Sequence, residues 1–414
     1  MIKLLHFADA HIDMAQGGRH DPESGLPVRV MDFLKSLDQI VDTAIAEKAD
    51  LVIFSGDAYK DRAPQPTYQR EWGRRMMRLS HAGIPTLLLT GNHDISPSAS
   101  RAHALQEIDT LEVPHVHVIN KPSFLGPEQL EGLGVQVIAL PWVTRSGLMA
   151  AQDVSVENPL EALEELEKGL SRYLQSCLMD LDPELPTILA AHASIEGAKY
   201  GNERTVMLGR DLVLPLGLVR DERLDYTALG HIHKAQNLNE GMHPPVVYPG
   251  SIERLDFGEA QDDKFFVMAE VEKGRTKVQW RKLTGIRKFI DLALELEGKQ
   301  DVNKRLQSVL PEAEALRDAI VRLIVSYPRE LETLIDEASL RAMAESAFEF
   351  HFVKRPHQAL RMRLPGDREM SSYSAEELLE AYWQSLNIAP ETRKELEVLS
   401  KQIIESVESG EGSA

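Results

Sequence analysis

The sequence predicts an α/β fold, and three observations carry that expectation. Short runs rich in Val, Ile, Leu and Phe alternate with longer stretches of helical periodicity from Lys3 to about Leu283. Nearly every one of those runs ends in a residue able to bind a metal, and in α/β sheets ligands gather at the carboxyl ends of strands. The composition, 43% hydrophobic and 27% charged over 414 residues, is that of a folded soluble chain with room for two or three domains.

The first run, residues 1–7, is broken by Lys3 and His6 and is too short for a signal peptide's apolar region, so it is read as part of the fold. Further apolar runs bounded by turns lie at 51–54, 86–89, 135–140, 187–191, 226–229 and 246–248. Helical periodicity fills 30–48, 67–82 and 160–181, the first with Leu34, Leu37, Ile40, Val41 and Ala44 on one face. Gly132-Leu133-Gly134 reads as a hairpin turn. After Gly285 the rhythm becomes strand (288–295), helix, strand (319–326), helix (331–346) and strand (348–354). Residues 355–366, with Pro356 and Pro365, read as a linker. Two amphipathic helices follow, with Ser374 as N-cap and Pro390 in the first turn of the second. Domain boundaries are therefore expected near 285 and 365, with 409–414 frayed.

Charge and cysteine usage narrow the function. The net charge of −19 counts against coating nucleic acid by bulk electrostatics, although the segment 367–414 holds eleven acidic and four basic residues and so carries −7 of it. The single cysteine, Cys177, excludes an intrachain disulfide and a cysteine-based zinc site, which suits a reducing, cytoplasmic compartment. It is read as a small buried hydrophobe. No run approaches the ~18 apolar residues of a membrane span. Nor is there a Gly-x-x-x-x-Gly-Lys-Ser/Thr loop, so any ATP dependence must come from a partner.

The chemistry lies in five strand ends. They read Phe7-Ala8-Asp9-Ala10-His11, Ser55-Gly56-Asp57, Thr90-Gly91-Asn92-His93-Asp94, Ala190-Ala191-His192 and Leu229-Gly230-His231-Ile232-His233. Two carboxylates, one amide oxygen and four imidazoles suit manganese, iron or zinc. Two dications ~4 Å apart repel by roughly 16 kcal/mol at an effective dielectric of ~20, and a bridging carboxylate, for which Asp57 is the candidate, offsets that. Asp9 and His11, two apart on a strand, would face one side, as would His231 and His233. Gly56, Gly91 and Gly230 each precede a ligand candidate, where a missing side chain lets the backbone turn sharply.

This ordered set resembles the calcineurin-like binuclear metallophosphoesterases over roughly residues 1–285. The resemblance implies a four-layer αββα sandwich metallophosphoesterase domain with two divalent metals at one edge of its sheets. By motif position it implies Asp9, His11, Asp57 and His233 at the first metal and Asp57, Asn92, His192 and His231 at the second. It gives His93 the role of orienting or protonating the leaving group. Hydrolysis of a phosphoester is the implied reaction.

Tyr248-Pro249-Gly250-Ser251-Ile252-Glu253-Arg254-Leu255-Asp256-Phe257-Gly258-Glu259 resembles a signature of SbcD-type DNA repair nucleases. Arg29-Val30-Met31-Asp32-Phe33 and the alternation after 285 extend that resemblance to almost the whole chain. It implies a manganese-dependent 3′–5′ exonuclease and single-strand endonuclease acting on DNA in double-strand break repair. It also implies a small α+β capping domain at 286–365 that positions DNA, and a helical segment at 366–414 that binds an SbcC-type coiled-coil ATPase. A homodimer is implied as well. The chain departs from the commoner pattern at His11-Ile12-Asp13 and at Gly56-Asp57-Ala58-Tyr59-Lys60-Asp61, beside the metals, which bears on the balance of exonuclease and endonuclease action.

For backbone contact with DNA, residues 60–78 hold six basic residues against two acidic ones, with Tyr68 and Trp72 interleaved and Arg70, Arg74 and Arg78 on one helical face. The apolar faces of the last two helices (Leu378, Leu379, Tyr382, Trp383 and Leu386, then Leu396, Leu399, Ile403 and Ile404) fit either a partner or their own domain. Two other functions stay open at this level: a phosphodiesterase of small nucleotides, and a largely structural assembly subunit.

Overall fold

The structure is a computed structural model and describes residues 1–14, 18–95, 102–143, 159–201, 213–297, 301–357, 373–385 and 388–408. The strands in chain order are β1 (Ile2–Phe7), β2 (Leu51–Phe54), β3 (Thr86–Leu89), β4 (Val116–Ile119), β5 (Ser123–Leu125), β6 (Gln136–Leu140), β7 (Thr187–His192), β8 (Ser194–Ile195) and β9 (Val213–Leu214). They continue with β10 (Tyr226–Gly230), β11 (Gln236–Asn237), β12 (Val246–Tyr248), β13 (Phe265–Glu272), β14 (Arg275–Lys282), β15 (Phe289–Glu295), β16 (Ile320–Pro328) and β17 (Glu349–His357). Of the helices, α1 (Val28–Ala46), α2 (Pro66–His81), α3 (Gln106–Thr110) and α4 (Pro159–Met179) cover the first two hundred residues.

Among the described residues two six-stranded sheets dominate, ordered β14-β13-β1-β2-β3-β4 and β11-β12-β10-β7-β6-β5. Strands β1 to β4 of the first sheet and β6, β7, β10 and β12 of the second run parallel; antiparallel β13 and β14 close one edge of the first sheet, whose other edge is β4, and antiparallel β5 and β11 close both edges of the second. Alternation along the short buried strands makes the layers. Leu5, Phe7, Val52, Phe54 and Leu88 face outward onto Phe33, Leu37, Val41, Trp72 and Met76 of α1 and α2. Their neighbours Leu4, Leu51, Ile53 and Leu87 face Val137, Ala139, Ile188, Ala190 and Ala228 of the second sheet. That sheet's other face, with Ile138, Leu140, Leu189 and Leu229, packs on Leu166, Leu170, Leu174 and Cys177 of α4. A parallel strand buried on both faces reads as a continuous apolar run, which is why these strands are visible in the sequence. The result is the expected α/β/β/α sandwich.

Past Leu283 the strands β15, β16 and β17 form a three-stranded sheet in that order. Two compact units divide the chain: Met1–Leu292 with Ser308–Leu323 and Ala338–Val353, and Ala293–Gln307 with Ile324–Glu337 and Lys354–Ala414. The helix expected over 331–346 is broken into a 3₁₀ turn, Arg329–Leu334, and a helix, Glu337–Met343. Asn303 explains the break: its amide donates to the Leu334 carbonyl (2.9 Å) and accepts from the Asp336 N–H (2.9 Å), taking the groups that a continuous helix would have paired. Of the expected linker, residues 355–357 belong to β17, and residues 358–366 lie outside the described residues. So do Leu386 and the expected frayed end 409–414.

The helix Ala375–Ser385 starts in a reciprocal cap. The Glu377 N–H donates to Ser374 Oγ (3.2 Å) and the Ser374 N–H to Glu377 Oε2 (2.8 Å). Pro390 opens the helix Pro390–Glu408. Trp383 is buried, while Tyr382, Leu399 and Ile403 are exposed. No helix among the described residues is long and apolar enough to cross a membrane.

Candidate metal centre

Loops at the carboxyl ends of β1, β2, β3, β7 and β10 build the site. Register aligns them: Phe7 pairs with Phe54, and Gly230 with His192, so the residues that follow emerge at one edge of both sheets. The loops after β1 and β2 are then zipped together. The N–H of Asp9 donates to the Gly56 carbonyl (3.0 Å), that of Ala10 to Asp57 (2.8 Å) and that of Ile12 to Ala58 (3.1 Å). Asp9, His11, Asp57 and His231 all have positive φ (50°, 41°, 65° and 99°), a conformation that costs a non-glycine residue of order 1 kcal/mol or more and gathers at functional sites. Strand alternation therefore does not place Asp9 beside His11, as the spacing suggested; a left-handed loop does.

Two clusters result. Ligand atoms of Asp9, His11 and His233 lie within 4.8 Å of one another, as do those of Asp57, His192 and His231. The pair His231 and His233 is thus split between clusters. Asn92 joins the second, its Oδ1 lying 3.0 Å from His192 Nε2 and 2.9 Å from His231 Nδ1. Asp57 Oδ2 stands between the two, 3.8 Å from His11 Nε2 and 3.5 Å from His192 Nε2. In the first cluster His11 Nε2 and His233 Nε2 face each other at 3.3 Å. Convergent imidazole nitrogens, two carboxylates and an amide oxygen are a donor set that fits a binuclear site for borderline-to-hard dications.

The glycines act through close approach more than through turning. A Cβ on Gly91 would lie 2.1 Å from Asp57 Oδ1, and one on Gly230 2.1 Å from the Ser55 carbonyl oxygen, so both loops can only pack with hydrogen there. Of the three glycines named from the sequence, Gly56 alone combines crowding with a positive φ (99°).

Electrostatics follow from burial. Burial raises Asp9 to about 6, with Asp57 adding and His233, His192 and His231 opposing. Burial also works to raise Asp57, yet the imidazoles of His192, His93 and His11 outweigh it and hold that carboxyl well below the usual range. Burial depresses His11 strongly against the pull of Asp57. At His192 burial works downward, but Asp57, then Asp9 and the Ser55 carbonyl, win and lift it to about 9. The centre of the site is therefore an anion that draws positive charge.

Behind the ligand candidates stand groups that sequence reasoning missed. Asp94 is buried and accepts from the N–H groups of Gly91 (2.8 Å), Asp57 (2.9 Å) and Ala58 (3.0 Å), so it staples the second loop to the third. Burial, then Asp57, raises its carboxyl to about 7. His233 Nδ1 lies 2.9 Å from Glu259, which in turn pairs with buried Lys264 (2.5 Å) and accepts from Ser251 Oγ (3.1 Å). Carboxylates in this position fix the tautomer and aim of a metal-binding imidazole. His11 Nδ1 lies 3.2 Å from the Tyr59 carbonyl and His192 Nδ1 2.6 Å from that of Ser55. Trp142 lies over His231, ring centroids 5.0 Å apart. Ser251 and Glu259 belong to the long block 248–259, which was the one available signal.

His93 sits at the rim. Its N–H donates to Asp57 Oδ1 (2.9 Å), its Nδ1 lies 2.9 Å from the Lys60 carbonyl, and it lines an open pocket of about 620 Å³ with Asp13, Met14, Lys60, Asp61, Arg62, Gln65 and Tyr68. Arg70, Arg74 and Arg78 do not line that pocket. Arg70 and Arg74 share one oxygen of Glu71 (2.9 Å each), and Arg78 pairs with Asp38 and Asp42. Trp72 corrects the expectation of an aromatic interleaved for nucleic acid. It is fully buried against Phe54 and Tyr59, because it follows Tyr68 by one helical turn on the inward face of α2. His6 is buried between Tyr226 Oη and Ser55 Oγ (3.0 Å each). Cys177 is buried, and burial raises its thiol.

Comparison with known proteins follows the same lines. The family model described as "Calcineurin-like phosphoesterase" matches residues 2–235. A DNA double-strand break repair protein Mre11 of Archaeoglobus fulgidus is 25% identical over 362 residues, covering 84% of this chain and 74% of that protein. Among solved structures, a dimetal phosphatase from Danio rerio aligns at TM-score 0.40 and 12% identity, covering 68% of this chain and 96% of its own. The protein TT1561 of Thermus thermophilus aligns at 0.39 and 15%, covering 67% and 98%. With its family motifs gathered at one edge of two sheets, the chain belongs to the calcineurin-like phosphoesterase family and is a metal-dependent hydrolase.

Proposed function

We propose that the chain is a manganese-dependent DNA nuclease, a 3′–5′ exonuclease and single-strand endonuclease, acting in double-strand break repair as the catalytic subunit of an SbcCD-like complex. The observation that carries this is the likeness to the Mre11 repair protein across 84% of the chain, well beyond the catalytic motifs. The block 248–259 supports it with its resemblance to SbcD-type nucleases. On this reading Asp9, His11, Asp57 and His233 hold one ion and Asp57, Asn92, His192 and His231 the other. Residues 286–365 cap the site and position DNA. Residues 366–414 bind an SbcC-type coiled-coil ATPase through their apolar faces, two copies of the chain form a homodimer, and the complex works in the cytoplasm.

When bound, two dications neutralise phosphate oxygens and lower the pKa of water. The rest falls to the chain. Asp57, whose Oδ2 lies between the clusters, would help hold both ions. Glu259 and the Tyr59 and Ser55 carbonyls hold the imidazoles of His233, His11 and His192 by Nδ1, which fixes the aim of each Nε2 toward the clusters. The Nδ1–H of His93 donates to the Lys60 carbonyl (2.9 Å), which leaves Nε2 to orient the leaving oxygen or, when it carries a proton, to donate it.

The test is a gel. Purified protein with manganese should ladder end-labelled double-stranded DNA, and His93→Ala should lose that laddering by about 10²-fold or more. Intact DNA beside hydrolysis of bis(p-nitrophenyl) phosphate would instead point to a phosphodiesterase of small nucleotides.

A further inference from the structure

The basic segment that opens α2 divides sharply. Arg70, Arg74 and Arg75 lean on Glu71, Arg75 and Arg78 lean on Asp38, and Arg78 also reaches Asp42. Among the described residues Lys60 and Arg62 are the members of the segment without an ion pair, and both line the pocket beside His93. An arginine already shared between carboxylates has little left to offer a phosphate. Two exposed cations with none are the groups an anion would find.

Their loop is held rigidly. Asp13 accepts the N–H of Lys60 (2.5 Å) and of Asp61 (2.9 Å), and Asp61 accepts that of Ala63 (3.0 Å). Both pocket aspartates are thus turned onto backbone amides. The Lys60 carbonyl meanwhile holds His93 Nδ1 at 2.9 Å. One residue therefore aims the imidazole with its main chain and brings an ammonium to the same pocket with its side chain.

We propose that this pocket seats the phosphate next to the scissile one on the leaving side of a polynucleotide strand, with Lys60 and Arg62 as its cations. The inference rests on the nuclease reading and adds to it the course of the strand. If His93 serves the leaving oxygen, the chain attached to that oxygen must run into the space His93 lines. That space, about 620 Å³, suits one nucleotide, and Met14 and Tyr68 supply an apolar wall for its sugar and base. Asp13, in one of the two stretches that depart from the commoner family pattern, becomes the positioning residue of the loop.

The experiment compares the manganese-loaded full chain with Lys60→Met/Arg62→Met, Lys60→Arg and Asp13→Ala, on a single-stranded oligonucleotide and on bis(p-nitrophenyl) phosphate, which has no neighbouring phosphate. In the double variant kcat/KM on the oligonucleotide should fall about tenfold further than on the ester, mainly through KM. The slope of log KM against log salt should shrink by about 1.4 for two lost contacts. Lys60→Arg should keep most of the activity, and Asp13→Ala should follow the double variant. Equal losses on the two substrates, or an unchanged salt slope, overturn the proposal. If the wild type cleaves the ester and no oligonucleotide, the nuclease reading fails by itself. The pocket is then read from competition, where about tenfold weaker inhibition of ester hydrolysis by the oligonucleotide in the double variant upholds a phosphate seat and equal inhibition overturns it.

Discussion

Two buried charge clusters in this molecule follow opposite rules. At the sheet edge Asp9, Asp57 and four histidines point their lone pairs at one another, 3.3 Å apart in one case, with Asp9, His11, Asp57 and His231 in left-handed backbone. Around Arg29 every charge meets its opposite. Arg287 grips both oxygens of Asp32 (2.5 and 2.8 Å), Arg29 reaches Asp32 (3.1 Å) and Glu253 (3.7 Å), and the guanidinium of Arg287 lies over the Phe348 ring at 4.2 Å. Arg254 completes this second cluster by donating to the carbonyls of Glu259, Asp262 and Arg287. One cluster is finished by the protein alone; the other asks for cations. The contrast separates a binding site from a structural joint without appeal to any motif.

Breaking the open cluster should have the largest effect. Asp57→Ala removes the carboxylate between both donor sets, and phosphodiester hydrolysis should fall at least ~10³-fold with loss of bound metal by elemental analysis. Stability to urea in metal-free buffer should fall as well, because the imidazoles that outweigh burial and hold Asp57 well below the usual carboxyl range lose their partner, so metal is counted on the folded fraction, and an unchanged count there would mean that the carboxylate is chiefly structural. Breaking the closed cluster should cost stability alone. Asp32→Ala takes the carboxylate from Arg287 and leaves Arg29 only Glu253 at 3.7 Å, and should cost about 3 to 5 kcal/mol in urea unfolding while the folded fraction keeps its metal stoichiometry.

How much of this was legible in the sequence depends on the range of the interaction. The buried parallel strands were visible because a run such as Leu51–Phe54 is apolar on both faces. All seven ligand candidates emerged at one edge because each follows such a run. The edge strand Arg275–Lys282 was not singled out, since its polar and half-exposed residues mix charges among the apolar ones. Trp72 was misread because its basic neighbours were weighed above its spacing from Tyr68 and Met76 on the buried face. Asp94 and Lys264 were beyond reach, for their partners are tens of residues away or meaningful only once His233 is placed.

The groups between these extremes sharpen the comparison. Glu259→Gln with Lys264→Met removes the buried pair behind His233 together, so no charge is stranded. Metal affinity, measured by competition with a chelator, should drop about 10- to 100-fold while the fold persists. Unchanged affinity would assign the pair to packing.

At neutral pH the smallest effect belongs to His6, whose weight is felt only in acid. Burial lowers it from 6.5 to about 3, outweighing the backbone partner at Leu229. The unfolded chain therefore binds that proton first as pH falls. Stability tied to His6 is complete above about 6.5 and is lost toward about 3, at about 1.4 kcal/mol per pH unit. His6→Gln should flatten that acid limb in unfolding titrations, and an unaltered limb would place the titration elsewhere.

The donors come from both sheets: Asp9, His11, Asp57 and Asn92 from one, His192, His231 and His233 from the other. A chain still being synthesised carries the first group long before the second. Until His233 has emerged and the second sheet has closed on the first, neither cluster is complete, so a nascent or truncated chain has no competent centre. The order of residues along the polypeptide thus acts as a safety catch, withholding phosphoester cleavage until the sandwich is whole.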